Sequence, residues 1–320
     1  MITASDLKGV MGMMPAFTTA NGGSVHSTDT INVEALEQGV DRIIRDGIGV
    51  IATTGSFGEF HTLLWDEQKK LIEATVRAAK KRVPVFIGCT SLNTREAMMK
   101  MKFITESGAD GVLTGVPFYF HSTVKNAVQY FHDIADAFPK LGVMIYHNPP
   151  LHNVTLPSAA FEELTKKPNI VAMKDSHRDP LAFMKLQDLV KGKLSVFVNQ
   201  VQLHPYVMFG AAGCWSISSW MGPSPAIRAY QACVAGDWEL AKEICIAMSG
   251  TSPGLSNLEW RESSSKLAVN EAGYCHAGPL RPPFTHVPDE IKERAKEMAK
   301  RWTALCERYP LQEGAGRRTA

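Results

Sequence analysis

Among its ten histidines the sequence has no H-E-x-x-H, and none of its six cysteines stand in C-x-x-C spacing, so it carries no recognisable metal signature. Cys89, Cys214, Cys233, Cys245, Cys275 and Cys306 are expected to be reduced thiols packed as small hydrophobes in a cytoplasmic protein. There is no G-x-G-x-x-G and no low-complexity segment. No run approaches the roughly 18 consecutive apolar residues of a membrane span, and Met1–Lys8 lacks the apolar core expected of a secretory signal. Charge of one sign is scarce too: 34 Lys and Arg against 32 Asp and Glu leave a formal net charge of +2. Without a basic stripe, nucleic acid is not an expected partner. What is present is an ordinary globular composition, 45% hydrophobic and 21% charged. Its 320 residues suffice for one large barrel with an extension or for two smaller domains.

A unit of short apolar run, polar turn and amphipathic stretch repeats through residues 1–236. It predicts strands at 9–18, 49–54, 85–90, 111–116, 143–146, 170–174, 194–198 and 213–217. Helices are predicted at 33–45, 66–81, 94–107, 124–138, 158–165, 180–190, 205–209 and 223–235. In the first of these Leu36, Val40, Ile43 and Ile44 share one face. Eight alternations argue for a parallel sheet, and the continuous apolar strands for burial on both faces. The count favours an α/β fold of the (β/α)8 TIM barrel type over an open sheet. From Asp237 the pattern is helical alone, with helices predicted at 238–248, 258–272 and 289–308. They form a C-terminal helical extension, 237–310, packed on the barrel. The polar, glycine-rich tail 311–320 is expected to be mobile.

In such a barrel the chemistry gathers at the C-terminal ends of the strands. Lys174 ends the run Val171-Ala172-Met173. If that strand is buried, its amine loses charge easily and becomes a nucleophile toward ketones; the alternative is a lysine that reaches solvent or pairs with Asp175. Tyr146 ends the preceding strand and could relay a proton beside it, or simply pack in the core. Gly55-Ser56-Phe57-Gly58-Glu59 follows a strand directly. Such a loop can turn backbone N–H groups and the Ser56 hydroxyl toward an anion. Lacking the lysine of a P-loop, it suits a carboxylate better than a triphosphate, with Glu59 bracing it; it also reads as an ordinary turn. Trp215 and Trp220, with Phe118, Tyr119 and Phe120, could line an aromatic pocket or pack as core. Arg261 reads as a solvated helix residue unless the extension folds over the barrel mouth.

The ordered set of Gly55–Glu59, Tyr146 and Lys174 resembles the dihydrodipicolinate synthase and N-acetylneuraminate lyase superfamily, across roughly residues 8 to 308. The resemblance implies a class I aldolase on a (β/α)8 barrel, with Lys174 forming a Schiff base. The synthases carry an arginine shortly after the strand-five tyrosine; Leu151 stands near that place here, which argues against the synthase reaction. The polar pocket of the sialic acid lyases also differs from this aromatic set. The chain is more similar to the hydratase-aldolase branch of naphthalene and phenanthrene degradation. Shared stretches include Thr62-Leu63-Leu64-Trp65-Asp66-Glu67, Tyr146 with Asn148, Trp215-Ser216 and Ala277-Gly278-Pro279-Leu280-Arg281-Pro282-Pro283. Two positions depart from the naphthalene enzymes: Tyr119 replaces a tryptophan and Arg261 an asparagine.

The branch implies cleavage of an ortho-substituted trans-benzylidenepyruvate, with water, to an aromatic aldehyde and pyruvate. Lys174, Tyr146 and Asn148 would be catalytic, and Ser56, Phe57, Tyr119, Trp215 and Arg261 would bind substrate. Neither metal nor organic cofactor is expected. A homotetramer is implied by analogy. The Arg261 guanidinium would pair with an ortho-carboxylate, favouring 2-carboxybenzalpyruvate. The alternatives are a 2-keto-3-deoxy sugar acid aldolase and a non-catalytic barrel that binds a keto acid.

Overall fold

The computed structural model describes residues 1–176, 178–251 and 260–312. Eight parallel strands close into a barrel in sequence order: β1 (Gly9–Met13), β2 (Val50–Ala52), β3 (Val85–Gly88), β4 (Gly111–Thr114), β5 (Gly142–His147), β6 (Ile170–Asp175), β7 (Ser195–Asn199) and β8 (Gly213–Ser216). β8 pairs back onto β1. The first six strands are buried along their whole length, because side chains fill the barrel on one face and helices cover the other.

Between the strands run α1 (Val33–Arg45), α2 (Trp65–Ala79), α3 (Thr94–Glu106), α4 (Val124–Ala137), α5 (Pro149–His152), α6 (Ala160–Leu164), α7 (Pro180–Val190) and α8 (Leu203–Met208); α9 (Ser224–Ala235) follows β8. Their starts have local causes. Asn32 caps α1 by accepting the Ala35 N–H, and Leu36, Val40, Ile43 and Ile44 form its buried stripe. Asp179 caps α7, whose first residue is Pro180.

Boundaries differ from expectation where proline intervenes. β1 stops at Met13 rather than at Thr18, because Pro15 has no N–H to donate to a ladder; Thr18 instead makes an isolated bridge with Ile31. The Pro149-Pro150 pair opens a short helix that was not predicted, α5, since proline is preset for a first helical turn.

Beyond the barrel lie α10 (Trp238–Ser249), α11 (Arg261–Ala272) and α12 (Asp289–Arg308). α11 and α12 pack together, and α10 packs on α9. Buried Trp302 fastens α12 to the barrel by donating its Nε1–H to the Gly222 carbonyl at 2.8 Å. The expected helix start at Leu258, and residues 313–320 of the expected mobile tail, lie outside the described residues. All six cysteines are free thiols. Among the described residues no helix is long and apolar enough to cross a membrane.

Candidate active site

The register of β5 on β6 sets Tyr146 opposite Lys174 and His147 opposite Asp175. Alternation along the strands puts the first pair on one face and the second on the other. The second pair locks the strand ends. His147 Nδ1 donates to Asp175 at 2.9 Å, Arg178 Nε donates to its other oxygen at 3.0 Å, and the Leu156 N–H donates to His147 Nε2. With Nε2 accepting, Nδ1 carries the ring hydrogen. Burial alone would raise the Asp175 carboxyl, but His147 and Arg178 outweigh it and hold it below the usual carboxylate range.

On the other face Lys174 is 4% exposed. Its Nζ lies 4.1 Å from the Tyr146 ring centroid and 3.9 Å from that of Trp215. Burial pulls its pKa below the ordinary lysine value, with Tyr146 opposing in part, so the neutral amine is more accessible than in water. The Trp215 ring is held in place by its Nε1–H, which donates to the Asp175 carbonyl at 2.9 Å. The Tyr146 hydroxyl shares a hydrogen bond with Ser56 Oγ at 3.1 Å and accepts one from Asn148 Nδ2 at 3.2 Å. Ser56, Tyr146 and Asn148 thus form one polar chain next to the amine.

Ser56 is presented by a braced loop. Glu59 sits in the left-handed region at φ 52°, and Gly58 lies so close to the Thr54 backbone that no Cβ would fit. Glu59 Oε2 accepts from Lys266 Nζ at 2.6 Å and from Arg281 Nη1 at 2.8 Å. Both cations are buried. Lys266 also donates to Thr18 Oγ1 and to the Ala16 and Pro279 carbonyls, and Arg281 to Thr30 and Ala16. Burial lowers Lys266 to about 8. The loop is therefore tied to α11 and to the segment that follows it.

Above this floor opens a largely apolar cavity of about 330 Å³, walled by Ser56, Phe60, Phe118, His152, Arg261 and Phe284 among others. Arg261 Nη2 stands 3.2 Å from Glu262 Oε1. Glu262 Oε2 is buried with no hydrogen-bond partner among the described residues. No group of three or more His, Cys, Asp or Glu side chains among the described residues is arranged to hold a metal ion.

Of the residues singled out in the sequence, Ser56, Tyr146, Asn148, Lys174 and Trp215 meet at the inner end, with Phe57 buried in the loop behind Ser56. Arg261 reaches the same cavity from α11. Tyr119 does not: it is 75% exposed and meets Phe120 edge-on, 5.1 Å apart, in a separate groove of the β4–α4 loop. Its neighbour Phe118 is the one that turns inward. Trp220 is core, fully buried against Phe17. Sequence reasoning missed His152, Glu262, Phe60 and Phe284. Phe60 directly follows the braced loop, a usable signal. His152 lay beyond two prolines, and Glu262 on a helix that read as solvated.

The sequence profile of the dihydrodipicolinate synthetase family matches residues 11–302. The chain is 30% identical to a trans-o-hydroxybenzylidenepyruvate hydratase-aldolase of Pseudomonas aeruginosa, over 96% of each chain. It is 26% identical to a trans-2'-carboxybenzalpyruvate hydratase-aldolase of Nocardioides sp. (strain KP7), again over 96% of each. Among solved structures it is similar to PhdJ bound to a substrate intermediate, with a TM-score of 0.90 and 28% identity over 96% of this chain and 99% of that one.

Proposed function

The chain belongs to the dihydrodipicolinate synthetase family and is an enzyme; on that premise we propose that it is a class I hydratase-aldolase. Its substrate would be an ortho-substituted trans-benzylidenepyruvate of polycyclic aromatic hydrocarbon degradation, with 2-carboxybenzalpyruvate preferred. The observation that carries this reading is a desolvated Lys174 amine between the Tyr146 and Trp215 rings, with Ser56 joining Tyr146 to a largely apolar cavity that carries a guanidinium.

In this reading Ser56 and the Phe57 N–H hold the substrate's C1 carboxylate and so bring the C2 ketone to Lys174. Attack and loss of water give an iminium conjugated to the C3–C4 alkene. Water adds at C4 close to Asn148, and C3 gains a proton. The C4 hydroxyl proton then passes through Tyr146 as the C3–C4 bond breaks, the iminium taking up the electron pair. Aldehyde leaves, and protonation and hydrolysis of the enamine release pyruvate. Lys174 is the only covalent group this sequence of steps requires. Incubation with pyruvate and borohydride should label Lys174, and Lys174→Ala should lose both label and turnover. An unlabelled yet active wild type would end the proposal.

The ortho group is assigned through Arg261, whose charge suits a carboxylate. A second reading has its own observation: Glu262 already engages Arg261 and its Oε2 accepts from no group among the described residues, which suits a 2-hydroxyl donor. Arg261→Asn should cost the carboxylated substrate about 10-fold or more in kcat/KM, the range of a charge-assisted hydrogen bond, and the hydroxylated one little. Equal losses would favour the hydroxyl reading. In the proposed homotetramer the exposed Tyr119–Phe120 pair lies at a subunit contact; Tyr119→Ala should then shift the mass measured by light scattering.

A further inference from the structure

Hydration at C4 needs a group that can take a proton from water, and most of the polar groups around Lys174 are committed. Lys174 itself is consumed as the iminium. Asn148 donates to the Tyr146 hydroxyl and has no titratable proton to exchange. The Ser56 and Tyr146 hydroxyls bond each other and serve the later bond cleavage. Glu59 is neutralised by two buried cations.

His152 is different. It closes α5 and is 5% exposed. Its imidazole meets the Tyr146 ring edge-on, 4.9 Å between centroids, which places it next to the ring that covers Lys174. One face of the imidazole rests on Gly115, where any Cβ would fall closer than 3.0 Å to the ring atoms. Its Nδ1 is buried without a hydrogen-bond partner among the described residues. Burial first, and the Lys174 charge next, lower its pKa to about 4, so the lone pair is available at neutral pH. The same side chain also lines the cavity of about 330 Å³ that Ser56 and Arg261 border.

We infer that His152 is the catalytic base of the hydration half-reaction, its Nδ1 taking a proton from the water that attacks C4. This rests on the hydratase-aldolase reading. The water oxygen bonds to C4, and the C3–C4 π pair shifts to form the C2–C3 enamine as the iminium nitrogen becomes neutral. The proton held on Nδ1 is then delivered to C3, restoring the iminium of the β-hydroxy compound with no net gain or loss of protons. Glu262, whose Oε2 likewise has no partner among the described residues, is the competing base.

The two half-reactions can be separated by substrate. A benzylidenepyruvate must be hydrated before it is cleaved; the corresponding 4-aryl-4-hydroxy-2-oxobutanoate needs cleavage alone. His152→Phe keeps the ring packed against Tyr146 and removes both nitrogens. It should lower turnover of the alkene about 100-fold while cleavage of the hydroxy acid stays within about 3-fold. Borohydride trapping of pyruvate on Lys174 should be unchanged. His152→Gln, which restores an acceptor, should recover part of the alkene turnover and serves alone if the Phe variant does not fold. Equal loss on both substrates, or no loss on either, overturns the assignment. So does a split that appears in Glu262→Gln instead. A wild type that cleaves neither substrate overturns the hydratase-aldolase reading itself, and the inference with it.

Discussion

At the scale of single residues, what makes Lys174 reactive is where it sits rather than what touches it. Among the described residues it makes no ion pair with a carboxylate; it donates a long hydrogen bond to Ser176 Oγ at 3.5 Å and otherwise faces two aromatic rings, which attract a cation less than water does. The consequence is a pH profile. Protonation blocks attack on the ketone, so kcat/KM should rise with pH and level off, with a midpoint below the ordinary lysine value of 10.5. A midpoint at or above 10.5 would show that the amine is not desolvated. Lys174 and Tyr146 could be read from the sequence because each breaks an apolar β-branched run with a polar group. His152 could not. A histidine past two prolines looks like surface, and only the tertiary fit onto Gly115 buries it. Glu262 was hidden for a related reason: α11 carries charge and small polar residues on nearly every side, so its sequence does not say which face meets the barrel.

At the scale of elements, the alternation of strand and helix is legible because period two and period 3.6 leave different marks, and all eight strands fall within the predicted runs or within a residue of them. The loops were harder, since their shape depends on what packs beneath them. The turn after β4 is an example. Gly115 donates its N–H to Thr90 Oγ1 at 2.9 Å and leaves room for the His152 imidazole. Gly115→Ala would push a methyl group into that ring, and overpacking of this kind costs about 1–3 kcal/mol. The fall in melting temperature should shrink when the same substitution is made beside His152→Ala, because the clash is then gone. Additive effects in that cycle would mean that the imidazole does not set the constraint.

At the scale of the whole molecule, the barrel and its C-terminal helices share one buried charge cluster. Glu59 meets Lys266 and Arg281 across 207 and 222 residues of sequence, and no local pattern announces such a pairing. The sequence suggested only that Glu59 braces its loop; what it braces against became visible in three dimensions. Glu59→Gln removes one member of a buried ionic network and leaves two cations under-compensated, a change that costs about 3–5 kcal/mol. Because the loop carries Ser56, the same variant should raise KM for the keto acid more than it lowers kcat. Chemical denaturation and steady-state kinetics test the two halves separately, and a variant as stable as wild type would show that the cluster is not a brace.

That cluster also imposes an order on biosynthesis. The ribosome makes the loop that ends in Glu59 first, and its counter-charges on α11 and at Arg281 follow 207 and 222 residues later. Until they emerge, a carboxylate destined for burial has no partner and the loop has no fixed shape, even with all eight strands already synthesised. The keto acid's binding end is thus the last part of the barrel to mature. A nascent chain halted before α11 would carry every residue of the Ser56–Tyr146–Lys174 constellation and still lack a site.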